Sequence, residues 1–226
     1  MSIFVAGATG ATGEVFVQMA TRAGVELVLH VRPQTAARTP LSKDPRARVF
    51  DLSDRQALLS ALAGCDALVS FVGTTRARFQ LGDTYESSDV ASTRLLASGA
   101  KEAGGLRFLL LSSVGAGGPG AYLKMKGECE RIVRESGLAY TIFRPSALVS
   151  PPPGEAATSH HGRREAPAVA DGVMSALGKL PGLRSWTDRY KPIPITVLCS
   201  AFLRVLAKPR DGEVIEGSEL WAAGKP

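Results

Sequence analysis

The chain has 226 residues, a formal net charge of +6, 45% apolar residues and 21% charged residues. That length buries a full hydrophobic core, and the composition is that of a globular protein, not of a disordered or collagen-like chain. The basic excess is spread over single arginines without a basic, aromatic-interleaved run, and no apolar run reaches the ~20 residues of a membrane helix, so the sequence argues against nucleic acid and membrane as partners.

The first element is the run Ile3-Phe4-Val5-Ala6, which leads into Gly7, Gly10 and Gly13, three apart. It begins at residue 3 without a basic lead, so it reads as a strand and not a signal peptide. A helix over about 14–23 follows and Gly24 ends it. Strand, Gly-rich turn and helix start together set backbone N–H groups and a helix N-terminus against a phosphate. Residues 25–31 read as a second strand, 48–50 as a short third, and 54–63 as a helix with Ser53 as N-cap. A fourth strand spans 66–72. A long helix runs from Tyr85 to Ala103 with Val90, Leu95, Leu96 and Ala100 on one face.

Residues 107–112 read as a fifth strand, with the continuous apolar run Phe108-Leu109-Leu110-Leu111 expected of a strand buried on both faces. A glycine-rich loop, Gly115 to Gly120, leads to a helix over 122–136, and 140–144 is a sixth strand. Residues 150–192 read as an irregular substrate-side segment. A helix over 194–207 and short terminal elements at 213–215 and 219–221 close the chain. Strand and helix alternate six times, which predicts a single α/β domain over 1–226: a Rossmann fold, a doubly wound parallel sheet with helices on both faces.

In such sheets ligands lie at the carboxyl ends of the strands. After strand 1 come Gly7, Thr9, Gly10, Ala11, Thr12 and Gly13, the expected diphosphate turn. After strand 2 comes Arg32, with no acid over 30–33; a guanidinium there suits a 2′-phosphate, which favours NADP over NAD. After strand 3 come Asp51 and Leu52. Asp51 either accepts from the adenine amino group, with Leu52 covering the ring, or caps the helix that follows. After strand 4 come Phe71, Val72, Gly73 and Thr74, where the glycine lets backbone approach the cofactor ribose. Ser112 and Ser113 follow strand 5. Arg144, Pro145 and Ser146 follow strand 6, where the nicotinamide end is expected.

Tyr122 and Lys126 stand four apart on one helix face. An ammonium beside a phenol favours phenolate and makes a usable acid–base group for a carbonyl or alcohol. A nearby serine would hydrogen-bond the developing oxyanion. His160 and His161 have no partner ligands at a metal-binding spacing, so no metal is expected. The three cysteines, Cys65, Cys129 and Cys199, lie far apart with no CxxC and read as free thiols in a reducing cytoplasm.

The GATGATG turn, Arg32, Asp51-Leu52, Leu111-Ser112-Ser113, Tyr122…Lys126 and Arg144-Pro145 together resemble the short-chain dehydrogenase/reductase superfamily. The turn and the run from Tyr122 to Glu128 look like its atypical NAD(P)H-binding group, the Tat-interacting-protein-like and NmrA-like relatives. The resemblance implies NADP(H) binding and a Ser–Tyr–Lys catalytic set. Tyr122 would be the acid–base, Lys126 would bind the nicotinamide ribose, and Ser113, or else Ser112, would orient the carbonyl. The expected function is an NADP(H)-dependent oxidoreductase acting on a small carbonyl, alcohol or quinone-like substrate. A non-catalytic NADP(H) sensor and an epimerase or dehydratase with transient use of nicotinamide are the rivals. A monomer and a homodimer both fit the sequence.

Overall fold

A computed structural model describes residues 1–73, 84–149 and 189–224. Strand β1 (Ser2–Ala6) passes through the glycine turn into helix α1 (Ala11–Arg22). Then come β2 (Glu26–Val31), the one-turn helix α2 (Pro33–Ala36), β3 (Ala47–Val49), α3 (Arg55–Leu62) and β4 (Ala67–Ser70). A π-helical turn (Tyr85–Val90) runs directly into α4 (Ala91–Glu102). They are followed by β5 (Arg107–Leu111), α5 (Ala121–Glu135), β6 (Tyr140–Arg144) and the short β7 (Leu148–Val149). The last elements are β8 (Ile193–Pro194), α6 (Ile195–Ala207), β9 (Glu213–Glu216) and α7 (Gly217–Gly224).

Seven strands form one sheet in the order β3-β2-β1-β4-β5-β6-β9, and every pairing in it is parallel. The order reverses between β1 and β4, which makes their carboxyl ends the crevice where such a sheet takes its ligand. This is the doubly wound Rossmann fold expected from the alternation of elements. β7 and β8 pair with each other outside that sheet.

Successive side chains of a strand point to opposite faces, and here both faces are covered. Ile3, Val5, Leu29 and Val69 pack with residues of α1 and α6. Phe4, Ala6, Leu68 and Leu110 pack with residues of α3, α4 and α5. Phe202 of α6 centres the first layer: its ring stacks on Phe143 at 3.8 Å and lies 5.0 Å from Phe71.

The structure corrects several boundaries. α1 starts at Ala11, not near 14, because Gly13 already lies in its first turn. α3 is capped by Asp54, whose carboxylate accepts from the Ala57 N–H at 3.0 Å; the Ser53 hydroxyl donates instead to Asp51 at 2.7 Å. Leu95 leaves the buried stripe and is 36% exposed, since five residues from Val90 turn a helix about 140° off its face. The residues around Trp221 are helical, and the terminal strand is β9 alone. Of the substrate-side segment, 150–188 lies outside the described residues, with His160 and His161.

Candidate cofactor and catalytic site

The three turn glycines are there for different reasons. Gly7 has φ +81°, and a Cβ on it would lie 2.7 Å from the Phe71 carbonyl carbon. A Cβ on Gly13 would lie 2.1 Å from the Gly7 carbonyl oxygen. Packing of β1, β4 and α1 therefore accounts for both. Gly10 has an ordinary extended backbone, φ −85°, and its Cβ would meet only the Gly7 oxygen, at 3.4 Å. Neither strain nor internal packing requires that glycine. It is exposed at the N-cap of α1, where helix amides have no internal acceptor, and its missing side chain leaves the mouth of the turn open. The turn thus fits a diphosphate on its amides. Thr9 and Ala11 flank that mouth half-buried, and Thr12 is buried.

At the β2 end, half-buried Arg32 caps α2 through its carbonyl, which accepts from Thr35 and Ala36. Asp51 is exposed, and its carboxylate accepts from the hydroxyl and the N–H of Ser53. These bonds, the hydroxyl's first, hold its carboxyl below the usual range. Asp51 closes a turn and does not cap α3. Leu52 is buried in the core with Phe50 and Leu58.

At the centre, the ring of Phe71 belongs to the core, so that position offers its backbone. Val72 is half-buried and Gly73 exposed; Thr74 lies outside the described residues. Ser112 is buried and its Oγ donates to Glu130 at 2.5 Å, whereas Ser113 is half-buried and donates to the Val114 carbonyl at 3.3 Å. Of the two, Ser113 retains access to a substrate.

Tyr122 is 41% exposed, and the Lys126 Nζ lies 6.0 Å from its ring centroid. Lys126 itself is buried. Its Nζ donates to the Leu111 carbonyl at 3.4 Å and stands 3.7 Å from the Asp89 carboxylate. The glycine loop before α5 is pinned, with Val114 N–H bonded to the Pro145 carbonyl and Gly117 N–H to the Leu123 carbonyl. A Cβ on Gly127 would lie 2.6 Å from Gly117 Cα, so α5 sits against that loop and fixes Tyr122 relative to Ser113.

The β6 end differs from expectation in what its side chains touch. The Arg144 guanidinium is held by Glu130 at 2.6 and 2.8 Å and lies 3.6 Å from Glu216. Pro145 is buried, and the Ser146 hydroxyl donates to the Lys191 carbonyl. These three residues bind the strand end to α5, β9 and the chain before β8. Glu130 is the group that the sequence reading missed. Burial pushes its carboxyl up, but Arg144, Ser112 and Arg134 together outweigh burial and hold it below its ordinary value. It lies four residues past Lys126, on the face already marked by Tyr122 and Lys126, and that spacing was its signal. Asp89 was also missed, because it stands in what reads as an ordinary helical face.

A Gly-rich turn at the β1/β4 reversal of a doubly wound parallel sheet is the arrangement of the Rossmann class. A family model described as NAD(P)H-binding matches residues 7–178, and the chain belongs to that family. It is 31% identical over 169 residues to Protein FMP52, mitochondrial, of Candida albicans, covering 71% of each chain. It is 30% identical to the mitochondrial fmp52 protein of Emericella nidulans over 86% of this chain and 81% of that one. Among solved structures, a dTDP-glucose 4,6-dehydratase of Streptomyces venezuelae, with NAD and TYD bound, shares the fold at TM-score 0.68 and 20% identity, over 99% of this chain and 80% of that one. The anaerobillin reductase ChuY of Escherichia coli O157:H7 shares it at TM-score 0.64 and 16% identity, over 95% of both chains. The family model and the doubly wound sheet agree on an NAD(P)H-binding Rossmann domain.

The expected cytoplasmic location does not stand, because these curated relatives are named as mitochondrial proteins. Free thiols report the redox chemistry around a protein, not its address.

Proposed function

We propose that the chain is an NADP(H)-dependent oxidoreductase that moves hydride to or from a small carbonyl, alcohol or quinone-like substrate. The observation that carries this is the Tyr122–Lys126 pair, with the Lys126 Nζ 6.0 Å from the ring of exposed Tyr122, on a helix that Glu130 ties to Ser112 at the β5 end, next to Ser113. The nicotinamide, when bound, supplies or takes the hydride. Tyr122 donates its phenolic proton to the carbonyl oxygen as charge develops there, and takes it back in the reverse direction. The Ser113 hydroxyl donates a hydrogen bond to the same oxygen. Lys126, fixed by the Leu111 carbonyl and Asp89, keeps its Nζ 6.0 Å from the centre of the phenol ring. Arg32, standing where the adenosine ribose falls, favours a 2′-phosphate.

A panel of carbonyls and quinones with NADPH, followed at the nicotinamide absorbance, tests the assignment. Turnover that falls about a hundredfold in Tyr122→Phe supports it. Unchanged turnover in that variant would remove Tyr122 from the mechanism. Tight NADPH binding with no turnover would instead identify a sensor, and product formation without net NADPH consumption an epimerase or dehydratase.

A further inference from the structure

We propose that Tyr85 sets the substrate class: with Tyr122 it forms an aromatic corner that takes a planar aromatic carbonyl or quinone in preference to an open-chain one. The proposal rests on the oxidoreductase reading above and narrows it. The two rings lie 6.1 Å apart, centroid to centroid, and are tilted by 59°. That is within the ~4.5–7 Å at which tilted aromatic pairs attract each other. Tyr85 is half-buried and packs against the core layer that holds Val90 and Met125, whereas Tyr122 is 41% exposed. The pair is anchored through Tyr85 and open at Tyr122.

The two rings come from different parts of the chain. Tyr85 opens the π-helical turn ahead of α4, and Tyr122 stands in the first turn of α5. A reciprocal cap fixes the start of the π-helical turn: the Ser87 N–H donates to the Thr84 hydroxyl and the Thr84 N–H to the Ser87 hydroxyl, both at 3.0 Å. Such turns are rare and are frequent at functional sites. A Cβ on Gly120, two residues before Tyr122, would meet nothing within 4 Å among the described residues, so the start of α5 is uncrowded there.

The corner selects by shape and by charge. A flat ring meets two ring walls at no cost in side-chain rotamers, whereas a flexible chain must give up rotamers to make the same contact. A tyrosine ring is electron-rich on its face and a quinone ring is electron-poor, so the two stack favourably. A ring resting on Tyr85 keeps its carbonyl beside the neighbouring phenol, the proton donor of the proposed reaction. The carbonyl carbon takes hydride from NADPH, its π pair moves to oxygen, and that oxygen takes the Tyr122 proton, which solvent restores; the products are the reduced substrate and NADP+.

The test uses the full chain with NADPH and two vicinal diketones: phenanthrenequinone, which is planar and aromatic, and diacetyl, which is open-chain. KM and kcat are measured for the unaltered chain, Tyr85→Phe, Tyr85→Leu and Tyr85→Met. The last two keep apolar bulk without a π face, so one carries the test if the other does not fold. The unaltered chain is expected to show the lower KM for phenanthrenequinone. Tyr85→Leu and Tyr85→Met are expected to raise that KM about fivefold or more relative to the KM for diacetyl. Tyr85→Phe is expected to restore the parent's ratio, which assigns the effect to the ring and not to the hydroxyl. A lower KM for diacetyl in the unaltered chain, or a ratio that no variant moves, overturns the proposal. If the unaltered chain turns over neither diketone, the oxidoreductase reading falls, and equilibrium dialysis of phenanthrenequinone decides on the corner. Binding about fivefold weaker in Tyr85→Leu and restored in Tyr85→Phe supports it; equal binding by all the chains overturns it.

Discussion

The glycine turn shows that one residue type can answer to different forces within seven positions. Gly13→Ala forces a methyl to 2.1 Å from the Gly7 oxygen, so it should lower the melting temperature markedly or prevent folding. Gly10→Ala meets only that oxygen, at 3.4 Å, and should fold with a melting temperature close to the parent's. Because its methyl enters the mouth of the turn, it should nevertheless weaken NADPH binding about tenfold or more, as read by titration of cofactor fluorescence. Arg32→Ala should weaken NADPH binding much more than NADH binding; equal losses would refute the choice of NADP. Spacing made all three glycines visible in the sequence, but not which of them packing requires. That needed the distance from each absent Cβ to its neighbours.

At the scale of elements, α6 and β2 show two costs of a double-sided sheet. Phe202 is fully buried against Phe16, Phe71 and Phe143, so Phe202→Ala should cost about 3–5 kcal/mol of stability by denaturant unfolding. On the other face, His30 of β2 lies buried between Phe4 and Phe50. Its Nε2 lies 3.0 Å from the Phe50 carbonyl. A carbonyl only accepts, so Nε2 carries the proton of the neutral ring. Burial, the largest influence, lowers its pKa against that bond and the nearby Asp51. Since the folded pKa lies below the unfolded value near ~6.5, stability is full above that pH and is lost as pH falls through and below it. Urea midpoints at pH 7.5 and 5.5 should therefore drop further for the parent than for His30→Gln. These strands were legible as apolar runs because both faces are covered. The helix starts were less so, because caps such as Asp54 depend on which carboxylate reaches an amide.

Across the whole molecule, Glu130 joins elements far apart in the chain. It links β5 through Ser112, β6 through Arg144 and its own helix through Arg134, and Arg144 continues toward Glu216 of β9. Glu130→Gln leaves two arginines without their buried partner and should cost about 3–5 kcal/mol at neutral pH. The Glu130 carboxyl is held below its unfolded value, near ~4.3, so its contribution is present above that pH and fades as pH falls further. The stability gap between parent and variant should narrow on acidification in that range; a constant gap would show that the ionised carboxylate is not what stabilises.

The sequence by itself determined the class of fold, the Gly-rich turn between β1 and α1 and the spacing of the Tyr122–Lys126 pair. Each is written in local spacing: glycines three apart at a strand end, two side chains four apart on a helix, apolar runs in alternation. Only the tertiary structure decided what surrounds them. Ser112 is turned into the core while Ser113 keeps its access, Arg144 is committed to Glu130, and Asp89 meets Lys126 behind Gly73. Asp89 and Lys126 are separated along the chain by α4 and β5, so no local pattern records their contact. Packing of helices on a parallel sheet brings such residues together, and burial then makes every charge among them depend on its neighbours.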